Sequence, residues 1–109
     1  MIQVDVYRGS GDIPAGIEVS GHAGYDEPGR DIICAAVSAL TLNMANSVEQ
    51  FTEDAFEGES EEETGRFSFR FTGTVSREGA LLFESLVLGL TAIEESYGEE
   101  YISIRFKEV

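Results

Sequence analysis

The chain reads as one α+β domain over residues 1–109. It is expected to be a two-layer protein: a mainly antiparallel sheet of about five strands with two helices on one face, in the order ββαββαβ. Three observations predict this. Segments near the start, in the second half and at the end of the chain alternate apolar and polar residues, as half-buried strands do. Two longer segments repeat apolar residues every three or four positions, as amphipathic helices do. Short polar or glycine-containing turns separate neighbouring strands, which favours hairpins and so antiparallel pairing.

The first strand is Ile2 to Tyr7, with Ile2, Val4 and Val6 on one face and Gln3, Asp5 and Tyr7 on the other. A turn, RGSGD, leads to a second strand from Ile13 to Ser20 that Pro14 and Gly16 interrupt. A glycine-rich loop, GHAGYDEPGR, follows. The first helix then runs from Asp31 or Ile32 to Phe51, with Ile33, Val37, Leu40, Met44, Val48 and Phe51 as its buried face and Asp31 as its N-cap. Ala55 to Glu57 reads as a short edge strand, and EGESEEETG as an acidic, solvated hairpin loop with no function of its own. RFSFRFTG is a strand with Phe67, Phe69 and Phe71 inward. Ser76 caps a second helix lined by Leu82, Leu86, Leu90 and Ile93, which Gly98 ends. The last strand, YISIRF, turns Ile102, Ile104 and Phe106 inward.

Composition narrows the function. The sequence starts with alternating residues rather than a basic stretch and a long apolar run, so no signal peptide is expected. No apolar run approaches the roughly 20 residues that span a bilayer. A single cysteine makes no internal disulfide, which points to a reducing cytoplasm. The net charge of −14 argues against direct binding of nucleic acid or of an anionic membrane surface, because both need clustered cations. It favours a basic partner.

The single histidine and the single cysteine, His22 and Cys34, both fall in one short stretch, GHAGYDEPGRDIICAAVSAL. An ordinary cysteine is only about 3% thiolate at pH 7. Lowering its pKa to about 6 takes roughly 3.4 kcal/mol, and a helix N-terminus supplies only about 0.3–1 kcal/mol. A nucleophilic Cys34 therefore needs a nearby base or cation. His22 is the only imidazole, and Arg30 is the other positive candidate. Twelve residues separate the pair, too many for one helix face. They can meet if a strand end carrying His22 lies beside the helix start, with the glycine-rich loop bulging between. The alternative is a small core cysteine and an unremarkable polar strand end. Metal binding has no supporting ligand spacing, GHAG lacks the lysine of a phosphate loop, and no cofactor is expected.

These residues resemble the ribosomal-processing cysteine proteases known as Prp. The resemblance rests on Gly21, His22, Asp31, Ile32, Cys34, Ala35 and Ser38, spaced as in that family. Ile33 stands where valine is common, a conservative departure. The resemblance implies a Cys34–His22 catalytic dyad and removal of a short N-terminal extension from a basic large-subunit ribosomal protein, cut after an aromatic residue. It also implies a homodimer. In the mechanism expected from it, Cys34 attacks the scissile carbonyl, backbone N–H groups at the helix start stabilise the oxyanion, and His22 protonates the leaving amine. Asp31 either orients His22 or only caps the helix. Ser38, one turn beyond Cys34, either touches substrate or bonds to its own helix. The loop of Gly24, Tyr25, Asp26, Glu27, Pro28, Gly29 and Arg30 is expected to move, making room for a peptide. Two other readings remain at this point: a non-catalytic acidic module that binds a basic ribosomal partner, and a thiol redox sensor.

Overall fold

A computed structural model describes residues 1–27 and 30–109. The elements follow the expected order: β1 (Ile2–Arg8), β2 (Pro14–Ser20), α1 (Ile32–Phe51), β3 (Phe56–Glu61), β4 (Arg66–Phe71), α2 (Arg77–Tyr97) and β5 (Ile102–Glu108). One turn of 3-10 helix, Ser10–Asp12, joins β1 to β2. The sheet order is β3-β4-β2-β1-β5. Three of its pairings are antiparallel, and β1 pairs with β5 in parallel, from Ile2 opposite Ile102 to Arg8 opposite Glu108.

Both helices cover one face of this sheet. The core between the layers holds Val4, Val6, Ile17, Val19, Phe67 and Phe69 from the strands. Ile33, Val37, Met44 and Val48 come from α1, and Phe83, Leu86 and Leu90 from α2. By length and hydropathy α1 would pass for a bilayer-crossing segment, yet here it lies on the sheet with Ile33, Val37, Thr41, Met44 and Val48 buried. Thr41 occupies a core position because its hydroxyl donates to the Val37 carbonyl, 2.9 Å away, so no polar group is left unpaired. The open face of the sheet is polar, with Arg105 and Lys107 on Asp5 and Arg70 on Glu57.

Two side chains depart from the expected core. Phe51 is exposed at the last residue of α1, and Phe106 is exposed on the edge strand β5. Each lies on the predicted face of its element, but beyond the reach of the opposite layer. The larger difference is the acidic segment. Rather than a solvated loop, most of it is strand: β3 extends to Glu61, and a four-residue turn, 62–65, leads into β4.

That turn docks on the end of β2. The Gly21 N–H donates to the Thr64 carbonyl at 3.1 Å. Gly65 has φ +66°, and a Cβ there would stand 2.1 Å from the Gly21 carbonyl oxygen. Only glycine combines this backbone angle with so close an approach.

Candidate active site

His22 lies two residues beyond the end of β2, and Cys34 lies in the first turn of α1. β2 runs beneath the helix layer, so its end meets the start of α1. The loop between them bulges outward, and the two side chains converge. His22 Nδ1 stands 4.0 Å from Cys34 Sγ. The Ala23 N–H donates to the same sulfur at 3.2 Å. On the other side of the ring, His22 Nε2 is 2.8 Å from the Glu63 carbonyl oxygen. A carbonyl only accepts, so Nε2 carries a proton, and Nδ1 is the nitrogen that faces the thiol.

Asp31 is buried, 8% exposed, and both of its carboxylate oxygens are hydrogen-bonded. Oδ1 accepts from the N–H groups of Ile33 at 3.1 Å and Cys34 at 3.0 Å, and Oδ2 accepts from the Tyr25 N–H at 3.1 Å. It is the N-cap of α1 and also ties the loop to the helix start. Among the described residues it makes no bond to His22. Burial alone would raise its pKa, but the donors at Cys34, Tyr25 and Ile33 outweigh that and hold it below the usual carboxylate value.

This cap bears on the N–H groups at the helix start. The N–H groups of Ile33 and Cys34 are taken by the Asp31 side chain, and that of Ala35 by the Asp31 carbonyl at 3.0 Å. Each of the three thus has a partner on Asp31 in this structure. The N–H aimed at the Cys34 sulfur belongs to Ala23.

Burial pushes the Cys34 thiol above its ordinary pKa. The Ala23 N–H opposes this, and the hydrogen bond and negative charge of Asp31 add to it. The raised pKa favours the thiol form of Cys34 at neutral pH.

The pair opens into a cleft of about 820 Å³, within the range of small-ligand sites. Ile2, Val19, Val37 and Phe67 give it an apolar wall, and Asp26, Glu61, Glu62 and Glu63 an acidic rim. Ser38 is exposed and lines the cleft. Among the described residues its hydroxyl makes no bond to its own helix; the hydroxyl that does so belongs to Thr41. In the loop, Tyr25 packs edge-on against Tyr97 and Tyr101, with ring centroids 5.7 and 5.2 Å away. The Arg30 N–H donates to the Glu27 carbonyl at 2.9 Å. Pro28 and Gly29 lie outside the described residues, so the structure does not test the expected loop movement.

The acidic turn is the part of the site that sequence reasoning missed. Its side chains form the rim, but its contact with His22 is made by a main-chain carbonyl, which no residue type announces. The only available signal was Gly65, placed to allow a close approach.

The chain is similar to proteins already known. The family model described as Cysteine protease Prp matches residues 1–103. A Bacillus subtilis protein named ribosomal processing cysteine protease Prp is 31% identical over 103 residues, covering 89% of this chain and 90% of its own. The protein of that name from Staphylococcus aureus is 29% identical over 107 residues, covering 98% of this chain and all of the relative. A crystal structure of the essential S. aureus ribosomal processing protease Prp, in complex with a covalently linked product peptide, superposes with a TM-score of 0.92. It is 29% identical in sequence and covers 98% of this chain and 100% of that one.

Proposed function

The chain belongs to the Prp family of cysteine proteases, and from that premise we propose that it removes a short N-terminal extension from a basic protein of the large ribosomal subunit, using Cys34 as nucleophile and His22 as general base and acid. Its being a protease retires the reading as a non-catalytic acidic module. The observation that carries the dyad is the approach of His22 Nδ1 to Cys34 Sγ, 4.0 Å apart at the wall of an open cleft. Such a distance suits a free enzyme, since catalytic hydrogen bonds shorten when substrate closes the site.

In the first step the sulfur bonds to the scissile carbonyl carbon. Its proton moves to Nδ1, and the carbonyl electron pair moves to oxygen. The Ala23 N–H, already directed at the sulfur, donates to that oxyanion. The amide C–N bond then breaks, the amine leaves with the Nδ1 proton, and an acyl-cysteine remains. Water gives a proton back to Nδ1, attacks the acyl carbon and releases the product acid and the thiol. Ser38, exposed in the cleft, faces the region where the bound peptide would lie.

The cleft supports the substrate reading in two ways. Its apolar wall of Ile2, Val19, Val37 and Phe67 suits an aromatic side chain before the cut. Its acidic rim suits the lysines and arginines of a ribosomal protein. The proposal places the enzyme in the cytoplasm as a homodimer, and sedimentation would check the dimer.

The test is mass spectrometry of the ribosomal precursor incubated with the protein and with its Cys34→Ser form. Loss of an N-terminal segment with the first alone is the expected result. An intact precursor in both would overturn the substrate assignment.

A further inference from the structure

A thiol–imidazole pair works only if the ring presents the right nitrogen. A free imidazole side chain on a strand end rotates about two bonds and exchanges tautomers, so something must hold it. The expected candidate, Asp31, accepts from the N–H groups of Tyr25, Ile33 and Cys34 and, among the described residues, makes no bond to the ring. The group that does touch the ring is the main-chain carbonyl of Glu63, 2.8 Å from Nε2.

Its placement is over-determined. Gly21, the residue before His22, donates its N–H to the Thr64 carbonyl. Gly65 presses on the Gly21 carbonyl so closely that no side chain fits, and a Cβ there would also come within 3.3 Å of His22 Cε1. The Gly65 N–H closes the turn on the Glu62 carbonyl at 3.2 Å. Three consecutive residues of the turn, 63–65, thus meet the two residues that begin the loop.

We propose that the Glu63 carbonyl is the positioning group of the dyad. It fixes the ring so that Nε2–H is engaged and Nδ1 faces Cys34, and it stabilises the imidazolium that forms when Nδ1 takes the thiol proton. The inference rests on the dyad reading above. During attack Nε2–H stays on Glu63 while the transferred proton sits on Nδ1, and that proton goes to the leaving amine. The hydrogen bond to the carbonyl becomes charge-assisted only while the ring is charged, so it is stronger in the transition state than at rest. A neutral acceptor does this without adding a further negative charge beside a sulfur that must become anionic.

The decisive variant replaces the Glu63–Thr64 amide by an ester. An ester carbonyl is a weaker acceptor, and the Thr64 N–H it removes donates to no group among the described residues. The single cysteine allows the 109-residue chain to be assembled by ligation at Cys34. The single histidine makes its ring nitrogens the only imidazole signals in a 15N spectrum. In the native protein a slowly exchanging Nε2–H resonance is expected. In the ester the resonance exchanges faster, and kcat toward a precursor peptide falls about tenfold with KM within about twofold, as expected for an acceptor to a charged group. A second variant, His22 methylated on Nε2, removes the donor and keeps the Nδ1 lone pair; it too should lose kcat.

An ester with native kcat, beside an inactive His22→Ala, overturns the role of the carbonyl and leaves the dyad standing. An active His22→Ala overturns the dyad and the carbonyl's role with it. Absence of a protected Nε2–H in the native spectrum overturns the carbonyl's role directly.

Discussion

Asp31 and Cys34 are coupled through one carboxylate. Asp31 caps α1 by accepting two of its N–H groups, so Asp31→Ala should cost about 1–2 kcal/mol in urea unfolding at pH 7. The folded-state pKa of Asp31 is depressed. Its contribution is therefore present above pH 3.8, the ordinary value, and is lost as pH falls through the lowered folded value. Asp31→Asn should keep most of the cap and lose that acid sensitivity, which unfolding at stepped pH would record. Cys34 has the opposite sign: its raised pKa favours the thiol, so its contribution is present below the ordinary value of 9.0 and fades as pH rises through the folded value. At pH 7.5 iodoacetamide should label Cys34 more slowly than an unstructured cysteine peptide. Labelling should quicken in Asp31→Asn, where the neighbouring charge is gone. The identities of these residues were legible from spacing and from resemblance. Which partner Asp31 takes was not, because one carboxylate before a helix satisfies a cap and an imidazole equally well on paper. The structure separates the two: Asp31 accepts from three N–H groups and, among the described residues, makes no bond to His22.

At the level of elements, the junctions decide how the layers meet. The start of α2 is tied to the segment after α1 through Asp54, whose carboxylate accepts from the Ser76 N–H and from the Ser76 hydroxyl at 2.8 Å. The same hydroxyl accepts from the Gly79 N–H at 3.0 Å. Alanine normally improves a helical glycine site by about 1 kcal/mol. Here a Cβ on Gly79 would stand 2.0 Å from Asp54 Oδ2, which is already held in place. Gly79→Ala should therefore lower stability, by about 1–3 kcal/mol, as a drop in the urea midpoint at unchanged slope. Periodicity predicted both helices and their caps, and it placed the sheet faces correctly. It could not say where cover ends, which is why Phe51 and Phe106 lie on the right face and in solvent. Nor could charge density distinguish a solvated acidic loop from an acidic strand, since β3 is an edge strand with its side chains exposed. The parallel pairing of β5 with β1 was equally hidden. It depends on the direction in which α2 returns the chain, and no single strand records that.

For the molecule as a whole, the charge of −14 makes association a long-range effect. Raising salt from about 50 to 500 mM shortens the screening length from about 14 to about 4 Å. It should lower kcat/KM for a basic precursor severalfold and leave kcat nearly unchanged; steady-state kinetics on the full precursor would check this. A salt-insensitive kcat/KM would mean that the acidic surface plays no part in capture. The same global view gives meaning to the parallel pair of first and last strands. Because β1 and β5 run side by side in one direction, the two ends of the chain sit at opposite edges of the molecule, about 20 Å apart along the strands. Met1 packs against Gly21, next to His22, and Ile2 lines the cleft. The Val109 N–H donates to the Arg8 carbonyl, at the far end. A purification tag or fluorescent fusion joined ahead of Met1 is thus an appendage at the mouth of the active site, competing with substrate. The same appendage joined after Val109 hangs from the opposite side, so immobilisation through the C-terminus presents the cleft to solution.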